Sequence, residues 1–275
     1  MLLSIVTVVK NDLTGLQSTL NSFASIPKGK VEVLIIDGGS TDGSEVVAKA
    51  KNSKFIESRP DGGIYPAMWR GAEHASGRFL MFINAGEQLV DYSLLKRALI
   101  SVQHSKWGFG PVIEKSLRGT YVWTSTGRAP SLKNISYRKT FIPFPSIIFN
   151  RDFFLSLGGF NAHYQIAADF DIEIRAAMAE KPMVWEFPLI IFQSGGISYT
   201  NPLRAWREEH LSRCTNLSDS RLFRIISLFA FYKRAGRYFV GKIVDRIDLY
   251  LHRNQPSWRD RRAPEIPLEF LGYLP

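Results

Sequence analysis

One cysteine, Cys214, stands alone among 275 residues, so no intrachain disulfide can form and nothing in the chain asks for an oxidising compartment. Long apolar runs are also missing. None reaches the roughly 18 to 20 uninterrupted residues that cross a bilayer. The opening Met-Leu-Leu-Ser-Ile-Val-Thr-Val-Val is apolar, yet no basic leader precedes it and no small-residue cleavage site follows it. It reads as a first β-strand, and the cytosol is the expected compartment. No internal repeat is visible, which argues against solenoids and propellers. Charged residues make up only 22% of the chain and apolar residues 45%, the balance of an ordinary globular protein.

The charge that is present is unevenly placed. Of the net +10, a surplus of eight lies between Leu203 and Arg262, where 14 Lys and Arg face 6 Asp and Glu. A basic tail behind a nearly neutral body suits contact with anionic lipid or nucleic acid, or else is a solvated helical surface. The pattern divides the chain into a main domain, residues 1–202, and a basic helical extension, residues 203–275.

The first hundred residues alternate strand-like and helix-like segments, which predicts a mostly parallel, Rossmann-like sheet flanked by helices. Leu2 to Val9 is the first strand. Thr14 with Gln17 offers a capping box for a helix carrying Leu13, Leu16, Leu20 and Phe23 at helical spacing. Val31 to Ile36 is an apolar run rich in β-branched residues and interrupted only by Glu32, as expected of a strand buried on both faces. Asp42 with Glu45 opens a second helix, Phe55 and Ile56 supply a short strand, and a third helix with an early Pro66 is expected to stop at Gly77. Phe79 to Ile83 and Phe144 to Phe149 read as further strands, Ala168 to Glu180 as a helix opening on acidic residues, and Val184 to Phe192 as extended. Beyond Pro202 the chain turns helical, with Leu222 to Tyr232 apolar almost all round.

Ligands of open parallel sheets bind outside the carboxyl ends of the strands. Those ends carry Lys10-Asn11-Asp12, Asp37-Gly38-Gly39-Ser40 and Asn84-Ala85-Gly86-Glu87, with Arg59-Pro60-Asp61-Gly62-Gly63 after the short strand. A single acidic loop is explained by turns and caps. Convergence of several on one edge points to a site.

The order Ile-Ile-Asp-Gly-Gly-Ser-Thr-Asp-Gly, Arg-Pro-Asp-Gly-Gly-Ile-Tyr-Pro-Ala-Met-Trp-Arg-Gly, Gly-Arg-Phe-Leu-Met-Phe-Ile-Asn-Ala-Gly-Glu and Ala-Ala-Asp-Phe-Asp-Ile resembles the family 2 inverting glycosyltransferases of GT-A fold. It looks closest to the branch that builds colanic acid, O-antigen and other bacterial exopolysaccharides. The resemblance runs from about Leu2 to Ser198. It implies an enzyme that moves a sugar from a nucleotide-diphosphate-sugar donor to a saccharide acceptor, expected to be polyprenyl-diphosphate-linked and met at the inner face of the cytoplasmic membrane. Asp37 and Asp61 match the family's nucleotide-binding acids, and a carboxylate can accept the imide N–H of uracil or thymine. Either residue could instead only shape its turn. Val8, Lys10, Asn11, Gly38, Gly39, Ser40, Arg70, Asn84 and Ala85 complete the implied donor site.

The family's metal motif is an acidic cluster. Here Glu87 is its one carboxylate, with Asn84 as a second oxygen ligand for Mg²⁺ or Mn²⁺, and Gly86 stands where an acid is usual. Asp169 matches the catalytic base, with Asp171 as the alternative, although an Asp at a helix start also serves as a cap. Gly195-Gly196-Ile197-Ser198 resembles the family's flexible loop near the donor phosphates. Should the metal assignment fail, Lys10, Arg59 or Arg70 would stabilise the leaving group. Gly86 also motivates the alternative of a catalytically inactive nucleotide-sugar-binding or scaffold protein, against which the joint presence of Asp37, Asp61, Glu87 and Asp169 argues. Nucleic acid is not an expected partner, since the basic segment holds no recognisable motif.

Overall fold

The computed structural model describes residues 2–50, 54–56, 62–116, 120–124, 126, 130–137, 139–140, 142–193, 195–217, 224–225, 227–229, 231–233, 235–236, 238–239 and 270. Strand β1 (Leu3–Val9) is buried at every position and lies in the interior of the larger sheet. It pairs in parallel with β2 (Val31–Asp37) on one side and β4 (Phe79–Phe82) on the other, with β3 (Lys54–Ile56) beyond β2. The register sets Val9 beside Asp37 and Val6 beside Phe82, so the carboxyl ends of these strands share one edge.

Burial on both faces explains the unbroken apolar runs. Leu3, Ile5, Val9, Ile35 and Met81 face a core completed by α1 (Leu13–Ser22) and α4 (Tyr92–Val102). Val6, Val8, Leu34, Leu80 and Phe82 face a second core under α3 (Ile64–His74), α6 (Arg151–Ser156) and α7 (Ala168–Ala179). Each such Val, Leu or Ile contributes about 1.5–3 kcal/mol on burial. The Phe82 ring lies 5.5, 5.3 and 5.6 Å from those of Phe144, Phe154 and Phe160, an aromatic pack that fastens the third quarter of the chain beneath the sheet.

One strand in the far half of the sheet runs against the rest. Strand β9 (Ile148–Asn150) runs antiparallel to both β4 and β6 (Trp107–Phe109), and β10 (Met183–Val184) closes that edge, giving the order β10-β6-β9-β4-β1-β2-β3. A second sheet, β5-β11-β7-β8, is built from β5 (Gln88–Leu89), β7 (Val112–Lys115), β8 (Tyr121–Thr124) and β11 (Ile190–Gln193). Helix α2 (Ser44–Ala50) follows β2, α5 (Leu132–Ser136) lies against α7, and α8 (Ile197–Thr200) leads into α9 (Pro202–Asn216). This is a mixed α/β architecture of GT-A type.

Three local readings of the sequence change. The cap of α1 is Asp12, whose Oδ1 accepts the Gly15 N–H at 2.9 Å, and not Thr14; a carboxylate two residues earlier satisfies the orphan amide first. Helix α3 ends at His74, and Gly77 serves a different need: a Cβ there would stand 2.6 Å from the Ser4 backbone nitrogen. The segment expected as one strand from Phe144 begins as a 3-10 turn, Phe144–Ser146, before β9.

Candidate active site

The site is assembled by latching three strand-end loops together. Asn11, the one non-glycine described residue with positive φ (51°), accepts the Thr41 N–H at 2.8 Å through Oδ1 and donates its own N–H to Ser40 Oγ at 2.8 Å. Gly38 N–H reaches the Val9 carbonyl at 2.7 Å, and its α-carbon passes close to the Lys10 stem. The loops after β1 and β2 are thereby one unit. Asp42 adds a further tie, accepting the Leu13 N–H at 2.8 Å, while hydrogen bonds donated by Ser44 hold its carboxyl below the usual value.

Asp37 ends β2 and is buried, at 1% exposure. A buried carboxylate is costly unless hydrogen-bonded. Here the Ser40 N–H lies 3.1 Å from Oδ2 and the Ser40 hydroxyl donates to Oδ1, with Gly39 turning the chain at φ 80°. Two oxygens offer about four acceptor positions, so capacity for a ligand N–H remains.

The Asn84–Glu87 loop is held from α1. Thr19, fully buried, accepts the Gly86 N–H at 3.0 Å and donates to the Glu87 carbonyl at 2.7 Å, and Ala85 N–H reaches the Val8 carbonyl at 3.0 Å. Glu87 folds back so that Oε2 accepts the Asn84 N–H at 2.6 Å, and burial pushes its carboxyl up to about 8. Asn84 Oδ1 is buried with no hydrogen-bond partner. A Cβ on Gly86, at φ 90°, would stand 3.7 Å from Asp12 Oδ2. Among the described residues no three His, Cys, Asp or Glu side chains converge. An orphan amide oxygen beside a carboxylate suits a hard divalent cation that takes its remaining ligands from a diphosphate.

Asp169 lies in the first turn of α7 and is partly exposed, its Oδ1 accepting the Phe170 N–H at 2.7 Å. Tyr65, on the first turn of α3, adjoins it: burial first and then the Asp169 charge hold the Tyr65 hydroxyl well above its ordinary pKa. Asp171 is wholly engaged within the protein. Its Oδ2 pairs with Arg175 at 2.8 Å, and its Oδ1 accepts from Ser212 Oγ and Asn216 Nδ2, each at 2.8 Å. Arg70 is half-buried on α3, and Lys10 is exposed at the sheet edge. Asp61 and Arg59 lie outside the described residues.

One residue of this arrangement, Thr19, carries no motif signal. Tyr65 sits within the quoted Asp-Gly-Gly-Ile-Tyr run, but only its burial against α7 reveals what it touches.

A mostly parallel sheet with a buried acid at the end of its second strand and further polar loops on the same edge has the form of a ligand-binding site of an open α/β sheet. The sequence model described as glycosyl transferase family 2 matches residues 4–156, and the chain belongs to that family. An uncharacterised glycosyltransferase of Mycobacterium tuberculosis is 30% identical over 207 residues, covering 70% of this chain and 76% of the relative. A PGL/p-HBAD biosynthesis glycosyltransferase of the same species is 29% identical over 209 residues, covering 72% and 79%. Among solved structures, Staphylococcus aureus TarS 1-349 in complex with UDP-GlcNAc superposes with a TM-score of 0.61 at 18% identity, covering 95% of this chain and 78% of that one. The mannosyltransferase PcManGT of Pyrobaculum calidifontis, in complex with GDP-Man and Mn²⁺, gives 0.59 at 15% identity, covering 84% and 69%. The chain is thus a glycosyltransferase with the GT-A fold.

Proposed function

We propose that this enzyme transfers one sugar from a nucleoside diphosphate donor to a saccharide acceptor with inversion at the anomeric carbon, Asp169 acting as general base. The observation that carries this reading is the hydrogen bond from the Tyr65 hydroxyl to the Ile166 carbonyl at 2.6 Å, which joins the helix after the Gly62-Gly63 turn to the segment leading into Asp169. Asp37 accepts the nucleobase N–H, with Gly38, Gly39, Ser40, Asn11 and the Val8 and Ala85 backbone walling the nucleoside, and Asp61 belongs to the same site. Lys10 and Arg70 face the diphosphate.

Asn84 and Glu87 would hold a divalent cation, which when bound offsets the charge that develops on the departing nucleoside diphosphate. Inversion requires the acceptor hydroxyl to attack from the face opposite the leaving group, losing its proton as it does so. Asp169 takes that proton. Asp171, with both oxygens committed to Arg175, Ser212 and Asn216, keeps the helix start in place.

In this reading residues 1–202 are the catalytic domain and residues 203–275 a basic extension that meets the membrane, of which 240–269 and 271–275 lie outside the described residues. The described residues between 224 and 239 are helical, and Ile225, Phe229, Tyr232 and Phe239 are more than half exposed beside Arg224 and Lys233. Such a face suits the interface of an anionic bilayer at the cytoplasmic side, where a polyprenyl-diphosphate-linked acceptor resides. No helix of the described residues is long and apolar enough to cross a membrane. The product would be a bacterial surface glycan of the exopolysaccharide or O-antigen kind. A thermal-shift screen of UDP-, GDP- and dTDP-sugars with and without Mn²⁺ tests the donor class, because a ligand that binds only the folded state raises its stability. A rise with one donor series supports the reading, and no rise with any would oppose it.

A further inference from the structure

Helix α7 begins without a cap of its own. Ala167 occupies the N-cap position and offers no side-chain acceptor, so the first amides of the segment need a partner from elsewhere. That partner is Glu208 on α9, buried to 6% exposure. Its Oε2 accepts the Ile166 N–H at 2.8 Å and the Ala167 N–H at 3.0 Å, while Oε1 pairs with Arg204 Nε at 3.1 Å. The Ile166 peptide is gripped from its other side by Tyr65, whose hydroxyl donates to the Ile166 carbonyl at 2.6 Å.

One turn and two turns further along α9, Ser212 and Asn216 reach Asp171. Glu208, Ser212 and Asn216 stand at i, i+4 and i+8, a single polar stripe laid along the first turn of α7. Asp169 lies between the two anchored points. A carboxylate buried at a helix N-terminus is favoured by the dipole and by charge-assisted bonds, yet its desolvation is costly where an apolar side chain would pack without that cost. Its placement is therefore informative.

We propose that Glu208 is a positioning residue for the transfer step: through the Ile166–Ala167 amides it fixes the orientation of Asp169 toward the acceptor hydroxyl. The proposal rests on Asp169 being the base. It also gives the extension a role in catalysis that is independent of any membrane.

The test is a double-mutant cycle on the full chain, with Glu208→Gln, Asp169→Asn and both together, read as kcat, acceptor KM and donor affinity. Glu208→Gln keeps an acceptor oxygen and the volume, so the fold should survive; circular dichroism and melting temperature monitor this. The expected result is a kcat lower by about 10²-fold, the scale of a misplaced catalytic group, with donor affinity unchanged. Because Glu208 acts through Asp169, the double variant should be no slower than Asp169→Asn alone. Additive losses, or a donor affinity that falls along with kcat, would overturn the proposal in favour of a general structural role. If Glu208→Gln retains full kcat while Asp169→Asn is inactive, the brace is wrong and the base assignment stands. If Asp169→Asn is itself fully active, the base assignment fails and the proposal with it. Should Glu208→Gln melt too low to assay, Ser212→Ala, which removes one Asp171 contact from the same stripe, is expected to give a smaller kcat loss with the same non-additivity; unchanged kcat there would also count against the brace.

Discussion

The Tyr65 hydroxyl donates to the Ile166 carbonyl at 2.6 Å, joining the helix after the Gly62-Gly63 turn to the residue three before Asp169. Tyr65→Phe removes the donor and leaves a buried carbonyl unsatisfied, at a cost of about 1–3 kcal/mol. The expected outcome is a lower melting temperature, and a kcat that falls more than donor affinity does. A variant as stable and as fast as the parent would show that the bond does not couple the two helices.

Asp37→Ala should weaken nucleoside diphosphate binding by about 1.5–3 kcal/mol, the range for a hydrogen bond to a charged group. Titration calorimetry of the folded variant measures this directly. Unchanged affinity would mean that Asp37, which already accepts from Ser40, serves only its own turn.

Glu87 makes stability depend on pH. In the unfolded chain its carboxyl ionises near 4.5, while burial in the folded state raises it to about 8. Between those values the folded state keeps a proton that the unfolded state has lost, so stability falls as pH rises through that window and the contribution is complete only below it. Melting curves in chelator should show Glu87→Gln gaining on the parent from pH 5 to pH 8. In assay, the same variant should need more Mg²⁺ or Mn²⁺ for transfer, because it removes charge at constant shape. Full turnover of the parent in excess chelator would contradict the cation assignment.

Ile225→Ser with Phe229→Ser removes two exposed apolar side chains without touching α9. Binding to anionic liposomes should weaken by at least tenfold, since each buried apolar side chain contributes about 1.5–3 kcal/mol. Equal sedimentation of variant and parent would show that this face does not meet lipid. Truncation after Pro202 is a poorer test, because it also removes Glu208, Ser212 and Asn216.

The parts of the fold legible in the sequence were those with strong local signals. The apolar runs of β1 and β4, and β2 from Leu34 onward, are buried on both faces, and Asp37 and Asn84 mark the breaks after β2 and β4. The reversal at β9 and the two-residue strands β5 and β10 were not legible, because such short segments lack periodicity and their direction is set by tertiary packing. Gly77 looked like a helix stop and is a close-approach site, since spacing alone cannot distinguish the two. In sequence, Glu208, Ser212 and Asn216 are simply polar positions within the basic segment after Pro202. Only the contact with α7 shows that this polar face is turned inward, where it meets the Ile166 and Ala167 amides and Asp171.

The central claim is that Asp169 removes the acceptor proton. Asp169→Asn keeps size and hydrogen bonding but discards the basic oxygen, and general-base assistance is worth about 10²–10⁴-fold. The decisive measurement is the rate of sugar transfer by Asp169→Asn beside its donor affinity, using the donor selected by thermal shift. The account expects transfer to fall by that factor with donor affinity nearly unchanged and with Asp171→Asn losing less. Full transfer by Asp169→Asn, or abolition by Asp171→Asn alone, would contradict it.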